Sequence, residues 1–291
     1  MALMREWYEM GRWMTGALPK RRCRWLADRL ADWHWSHAPA EERRAVSANL
    51  SVILGEPVDE DSPLVRSVFH HFGYYLTEFL GAHRPDGAPI VEGCDALARA
   101  LRAERGAMVL SAHIGNWEVG GAVLARMGFP THVVALPHRD PRVNAFFDEQ
   151  RARCGVGVVP LGPRATRHSM DLLRAGEVLG ILGDREFGDN GITVSLFGRQ
   201  ALVPRGPAVL SLRTGAPVIP IFFIREAPGQ FRFYVEPAIR PPAPMQNGGA
   251  VPHAVQALTQ RYTDRLAAYI KRFPTQWVVF QPFENREWNS S

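Results

Sequence analysis

Residues 109–121 read VLSAHIGNWEVGG, and this stretch decides the fold. Met108, Val109 and Leu110 make a short apolar run, long enough for a buried strand. Ser111, Ala112 and His113 then lead into Gly115 and Asn116. Asn116 is a strong helix N-cap, and Trp117, Glu118, Val119, Leu124 and Ala125 continue with helical character. The unit is therefore strand, turn, helix. His113 sits at the C-terminal end of the strand, and Glu118 sits in the first turn of the helix. In open α/β sheets, ligands bind at such strand ends.

The spacing of these two residues has a chemical use. Five positions apart on one continuous helix, they would be separated by about 140°. With the turn between them the chain can fold back. The Glu118 carboxylate can then hold one imidazole nitrogen of His113 and leave the other as a base. Gly115 permits close backbone approach to a substrate, and Asn116 begins a helix whose free N–H groups can face a developing oxyanion. A plainer reading stands beside this one, in which His113 closes a strand end and Glu118 is an ordinary first-turn acid.

Outward from this unit, helix and strand alternate. A helix is expected at 94–104, a strand at 107–112, a helix at 116–127, a strand at 131–136 and a helix at 142–153. Short strands follow at 156–160 and 178–183, with a helix at 166–175 between them. A hairpin-like stretch at 192–197 precedes a helix at 205–215, strands at 217–224 and 231–236, and a long helix at 251–272. The loop before that helix is rich in proline (Pro237, Pro241, Pro242, Pro244), and the final WVVFQPF reads as an edge strand. The pattern predicts an αβα sandwich with a mainly parallel central sheet, preceded by N-terminal amphipathic helices. We divide the chain into a helical region at 1–90 and an α/β core at 91–291.

The N-terminal region reads as two helices broken near Gly16–Pro19, then helices at 39–54 and 63–82. Five tryptophans fall in the first 35 residues, beside Lys20, Arg21, Arg22 and Arg24. Aromatic and basic residues on amphipathic helices suit an interfacial membrane anchor, and they suit equally a cover for the sheet. In the helix at 63–82, His70 and His71 face different sides and do not make a metal pair. Tyr74, Tyr75 and Phe79 there suit core packing first, with the lining of an acyl-chain channel as the alternative.

At 291 residues and 46% apolar content the chain can build a full core. Three scattered cysteines without C-x-x-C argue against a disulfide framework or structural zinc. No run of 18 apolar residues occurs, so no transmembrane helix is expected. The net charge of +5 and pI near 9.4 suit an anionic membrane surface, a phosphorylated substrate or an acidic carrier protein. The basic residues are scattered, and nucleic acid is not an expected partner. Signatures of serine hydrolases, P-loop NTPases and zincins are absent.

SAHIGNWEVGG resembles the first block of the bacterial lipid A biosynthesis (lauroyl/myristoyl) acyltransferases and the related mycobacterial phosphatidylinositol mannoside acyltransferases, whose shared signature is H-x4-D/E. Residues 183–223, GDREFGDNGITVSLFGRQALVPRGPAVLSLRTGAPVIPIFF, resemble later blocks of the same family. The likeness spans roughly residues 100–285. It implies a phosphate-facing arginine on the helix after the second block, which falls on Arg151 with Arg153 as a rival. It also matches Asp184 and Arg185 to the third block and places a substrate-facing turn at Arg205. Glu186 is a further candidate carboxylate for the His113 network. Several family members carry an N-terminal membrane-spanning segment, from which this chain departs.

The resemblance implies an O-acyltransferase. His113, oriented by Glu118, takes a proton from a hydroxyl of a lipid or glycolipid acceptor such as a lipid A precursor. The hydroxyl attacks the thioester of an acyl carrier protein or acyl-coenzyme A. N–H groups at Gly115–Trp117 face the oxyanion, and no metal or cofactor is expected. The implied location is peripheral, at the cytoplasmic face of the inner membrane. The alternatives are an acyl-thioester hydrolase using the same pair, and an inactive membrane-peripheral lipid binder.

Overall fold

Four helices lead the chain: α1 (Met4–Ala17), α2 (Lys20–His37), α3 (Ala40–Leu54) and α4 (Pro63–Gly81). Ser62 caps α4, its side chain accepting from Val65 N, and Pro63 enters at the first turn with its φ already set for a helix. Strands and helices then alternate: β1 (Ile90–Glu92), α5 (Cys94–Arg102), β2 (Ala107–Ser111), α6 (Trp117–Arg126), β3 (Thr131–Ala135), α7 (Pro141–Arg153), β4 (Val156–Pro160), α8 (Ala165–Ala175) and β5 (Val178–Leu182). After these come β6 (Gly191–Leu196), β7 (Arg199–Pro204), α9 (Gly206–Thr214), β8 (Val218–Ala227), β9 (Gln230–Val235), α10 (Pro252–Arg272) and a 3-10 turn, Pro274–Gln276. The structure is a computed structural model and describes residues 4–83, 90–102, 106–187, 191–241 and 252–284. Pro242, Pro244 and the expected ends of the helices at 103–104 and 251 lie outside them.

The main sheet has the order β1-β9-β8-β2-β5-β3-β4. It is parallel except where β8 and β9 pair as a hairpin. This is the αβα sandwich expected. All five residues of β2 are buried, because the strand lies in the middle with layers on both faces. Alternate residues serve different cores. Met108 and Leu110 join Leu210 of α9 and Tyr262 and Leu266 of α10. Ala107 and Val109 join Val119 and Val123 of α6.

Two local expectations are corrected. The stretch at 192–197 is only the first arm of a complete hairpin. Phe197 (φ 54°) and Gly198 (φ 79°) turn it, and β7 returns to Pro204. A two-residue turn with both φ positive matches the twist of the flanking strands. This hairpin stands apart from the main sheet and leans on α10, through Gln256 Nε2 to Thr193 O and Gln260 with Ser195. The WVVFQPF segment forms no strand; it makes a single bridge between Trp277 and Ile114. Its place at the strand ends, and not at the sheet edge, matters for the site.

Helix α4 ties the N-terminal helices to the rest. It packs on α1, α2, α3, α6 and the 3-10 turn. Its Val65, Val68 and Phe69 share a core with Val46 and Leu50 of α3 and with Val278.

Candidate active site

Strands β2 and β5 are parallel neighbours in register, Ser111 opposite Leu182. Residues two steps beyond each strand therefore meet. His113 Nδ1 lies 2.9 Å from Asp184 Oδ1, and the His113 backbone N–H donates to Oδ2 at 3.0 Å. Trp277 Nε1–H donates to the same Oδ2 at 2.8 Å. An ionised carboxylate only accepts, so Nδ1 carries the proton and Nε2 keeps its lone pair. Nε2 has no partner among the described residues. Burial of Asp184 pushes its carboxyl pKa up, but the His113 and Trp277 donors outweigh this and hold it below the ordinary value.

The acid that orients His113 is therefore Asp184, not Glu118. Glu118 instead faces Arg151 of α7. Arg151 Nη2 donates to Glu118 Oε1 at 2.6 Å, and Nε lies 3.2 and 3.1 Å from the two oxygens. Asp148 adds a weaker contact at 3.3 Å. Burial opposes the guanidinium charge, but Glu118 more than offsets it and raises the Arg151 pKa. The rival Arg153 points outward onto Glu149 at 2.7 Å. The Glu118–Arg151 pair is nearly buried, with side chains 7% and 11% exposed. Arg151→Met leaves a buried carboxylate unpaired and is expected to cost about 3–5 kcal/mol in urea denaturation. Glu118→Gln with Arg151→Met should recover most of that loss; a double variant as unstable as the single one contradicts the pairing account.

Gly115 and Asn116 hold the loop in place and do not line the cavity. Gly115 has φ 66°, and a Cβ there would fall 2.1 Å from Phe223 O. Its close approach is thus to β8, not to a substrate. Its N–H donates to Gln276 O, and the Asn116 N–H donates to Phe223 O. Neither N–H is left for an oxyanion. The Asn116 side chain is fully buried: Oδ1 caps Val119 N, while Nδ2 donates to Glu78 and Tyr75 O. Glu78 in turn holds Arg225, which also donates to His71 Nδ1. The N–H groups of Trp117 and Glu118 in the first turn of α6 remain without a described partner.

His113, Glu118 and Arg151 line a cavity of about 1300 Å³ at the C-terminal edge of the sheet. Trp117 stacks on Tyr75 (4.4 Å between centroids) at its wall, and His113 meets the Trp117 ring edge-on. Arg185, Glu186 and Arg205 also line it. Arg185 lies over the Phe187 ring, its pKa lowered by burial. Glu186 accepts from Phe187 N and does not join His113. Arg205 is exposed at the start of α9. Tyr75 faces the cavity, while Phe79 is core and Tyr74 bonds to Asp28. His70 is held between Asp28 and Asp32.

Sequence reasoning missed Trp277, Gln276 and His138. His138 lines the cavity against Phe147, and burial and the nearby Arg151 lower its pKa. Its adjacency to Arg139 and Asp140 was the only local signal. For Trp277 there was none, because its segment reads as a strand.

A family model described as bacterial lipid A biosynthesis acyltransferase matches residues 3–283. Phosphatidylinositol mannoside acyltransferase of Mycobacterium tuberculosis is 29% identical over 289 residues, covering 95% of this chain and 87% of the relative. The protein of that name in Mycolicibacterium smegmatis is 29% identical over 244 residues, covering 80% and 77%. Lipid A biosynthesis palmitoleoyltransferase of Escherichia coli is 27% identical over 150 residues, covering 50% and 48%.

Proposed function

The chain belongs to the bacterial lipid A biosynthesis acyltransferase family and is an acyltransferase, and from that premise we propose that it moves a fatty acyl group from a thioester to a hydroxyl of a lipid or glycolipid. The observation that carries this is the His113 imidazole, fixed by Asp184 at Nδ1 and presenting an unpartnered Nε2 in a large cavity. The acceptor O–H gives its proton to Nε2 as its oxygen bonds to the thioester carbonyl carbon. The tetrahedral oxyanion is met by the Trp117 and Glu118 N–H groups. The C–S bond then breaks, and the sulfur takes the proton back from Nε2. Atoms and charge balance without a metal or cofactor. Acyl carrier protein and acyl-coenzyme A both supply such a thioester, and a lipid A precursor or a similar phosphoglycolipid supplies the hydroxyl. Arg185 and Arg205 suit the phosphate of either substrate.

The substrates also point to a membrane surface, at the cytoplasmic face where acyl thioesters are made. No helix among the described residues is long and apolar enough to cross a membrane. Trp7, Trp13, Trp25 and Trp33 on α1 and α2 are 58–68% exposed, beside exposed Lys20, Arg21, Arg22 and Arg29. Such a surface binds anionic lipid peripherally, with about 1 kcal/mol from each basic residue near the headgroups. Tyr8 of α1 lines the cavity, so the same helix borders both bilayer and site. Trp13→Ser with Trp33→Ser should weaken sedimentation with anionic vesicles by at least about tenfold; unchanged binding would remove α1 and α2 from the membrane contact.

The reaction is tested by mass spectrometry of products from mixed acyl thioesters and bacterial membrane lipids. A lipid heavier by one acyl group supports the proposal and names donor and acceptor. Free fatty acid alone, across acceptors of both kinds, turns the reading toward a hydrolase.

A further inference from the structure

A buried charge pair stands behind the loop that carries His113. Arg225 of β8 has a side chain only 4% exposed, and it sends Nε to Glu78 Oε1 of α4 at 2.7 Å and Nη2 to Oε2. Its Nη1 donates to His71 Nδ1 at 2.9 Å. Burial and the Arg225 charge push the His71 pKa down to about 3, so this ring accepts as a neutral imidazole and Glu78 supplies the counter-charge. Neither Glu78 nor Arg225 lines the cavity. Neither side chain is therefore placed to touch a substrate there.

A pair with no other duty would be expendable, because apolar residues of similar volume replace many buried pairs without loss. This pair has a third member. Glu78 Oε2 also accepts from Asn116 Nδ2 at 2.8 Å, and Tyr75 O is a second, longer partner of that amide at 3.2 Å. Arg225 is held at its backbone as well. Its N–H donates to Gln276 Oε1 at 3.1 Å, and Gln276 Nε2 donates to its carbonyl at 2.9 Å. The Gln276 carbonyl in turn accepts from Gly115 N at 3.1 Å. One residue of β8 thus sets both groups that grip the loop, Glu78 on Asn116 and Gln276 on Gly115.

Asn116 is the joint between the two halves of the site. His113 lies three residues before it, and α6 opens on Trp117 directly after it. Its Oδ1 caps Val119 N at 3.2 Å. A shift of this side chain moves the first turn of α6, with the Trp117 and Glu118 N–H groups, relative to the His113 ring. Misplacement by about 1 Å at such a joint costs up to about a hundredfold in rate.

We infer that Glu78 and Arg225 are positioning residues for the transfer: through the Asn116 amide they hold the base and the oxyanion donors at their working separation. This rests on the acyltransferase reading above. What the reaction needs from position 78 is an acceptor oxygen for Asn116, and the charge there balances Arg225.

Two double variants separate this role from stability. The first is Glu78→Gln with Arg225→Met, and the second is Glu78→Leu with Arg225→Met. Both remove the buried charges together, so both should fold, as circular dichroism and urea denaturation will show. Only the first offers Asn116 an oxygen from position 78. It should keep kcat within about fivefold of wild type, while the second should lose about ten- to a hundredfold in kcat with KM within about threefold. Nitrogen NMR of the His113 ring needs no turnover. It should resolve the Nδ1 proton in wild type and in the first variant, and show it broadened in the second. Asn116→Ser keeps a cap for α6 but releases Glu78, and should reproduce the second variant's loss. Equal kcat and equal ring signals in the two double variants overturn the inference. So does a kcat that follows the urea midpoint in both, or, however they fold, a wild-type kcat in Asn116→Ser. Wild type that transfers to no acceptor while the ring signals change in this order would leave the positioning assignment standing and overturn the transferase reading instead.

Discussion

His113→Ala is expected to lower acyl transfer by about 10²–10⁴-fold, the range for loss of a positioned general base. That corresponds to about 3–5 kcal/mol of transition-state stabilisation. The effect should fall on kcat, because the imidazole acts on the proton in flight and not on the bound lipid. The same change removes one of three donors from a buried carboxylate, so a stability loss of about 1–3 kcal/mol accompanies it. His113→Asn separates the two effects. Its amide can still donate toward Asp184 but cannot serve as a base. It should be nearly as inactive while losing less stability. Initial rates at saturating acceptor, with urea denaturation of each variant, check both. A His113→Ala enzyme retaining a tenth of wild-type turnover would remove His113 from the chemistry.

Asp184→Asn should be nearly as damaging, for a reason visible in the bonding. Oδ2 accepts from both the His113 N–H and Trp277 Nε1–H. In the variant the amide oxygen must stay on those two donors, so the NH₂ group turns toward His113 Nδ1. Nδ1 must then accept, the ring proton moves to Nε2, and the lone pair that takes the acceptor proton is gone. A base held in the wrong tautomer loses about 10⁴-fold in an analogous triad, and about 10³ or more is expected here. Nitrogen-detected NMR of the His113 ring should show the proton moving from Nδ1 to Nε2. A fully active variant with the wild-type tautomer contradicts the assignment. Stability against pH provides a second check. The Asp184 carboxyl titrates below its unfolded value of 3.8, so its contribution is complete above that pH and is lost as pH falls through the lower, folded value. Asp184→Asn should remove that part of the acid sensitivity.

The strand–turn–helix unit was legible because its signals are local. An apolar run, a glycine that must take φ 66° and an asparagine cap all lie within a dozen residues. The alternation that followed placed the other elements for the same reason. The partner of His113 was not legible. Asp184 is 71 residues away, and only the strand order brings β5 beside β2. Adjacency in sequence favoured Glu118, whose helical direction sends it to Arg151. Gly115 and Asn116 were read as facing a ligand because glycine and a helix start suit that role. Their N–H groups instead meet carbonyls of Gln276 and Phe223, contacts that depend on where β8 and the C-terminal turn pass. Local pattern thus pointed to the candidate site, and tertiary register decides which residues meet there.

The bond from Trp277 to Asp184 spans 93 residues. A ribosome adds about 5–20 residues per second, so roughly 5–20 s separate the synthesis of the acid from that of the indole that completes its shell. Gln276, which fastens both the Gly115 loop and Arg225, arrives just as late. A nascent chain holding the motif and the central strands still lacks the parts that lock His113 in place. The shell around Asp184 therefore waits on the segment at 276–277, and an acyl thioester meeting a shorter nascent chain finds a pocket that has not yet closed around its own histidine.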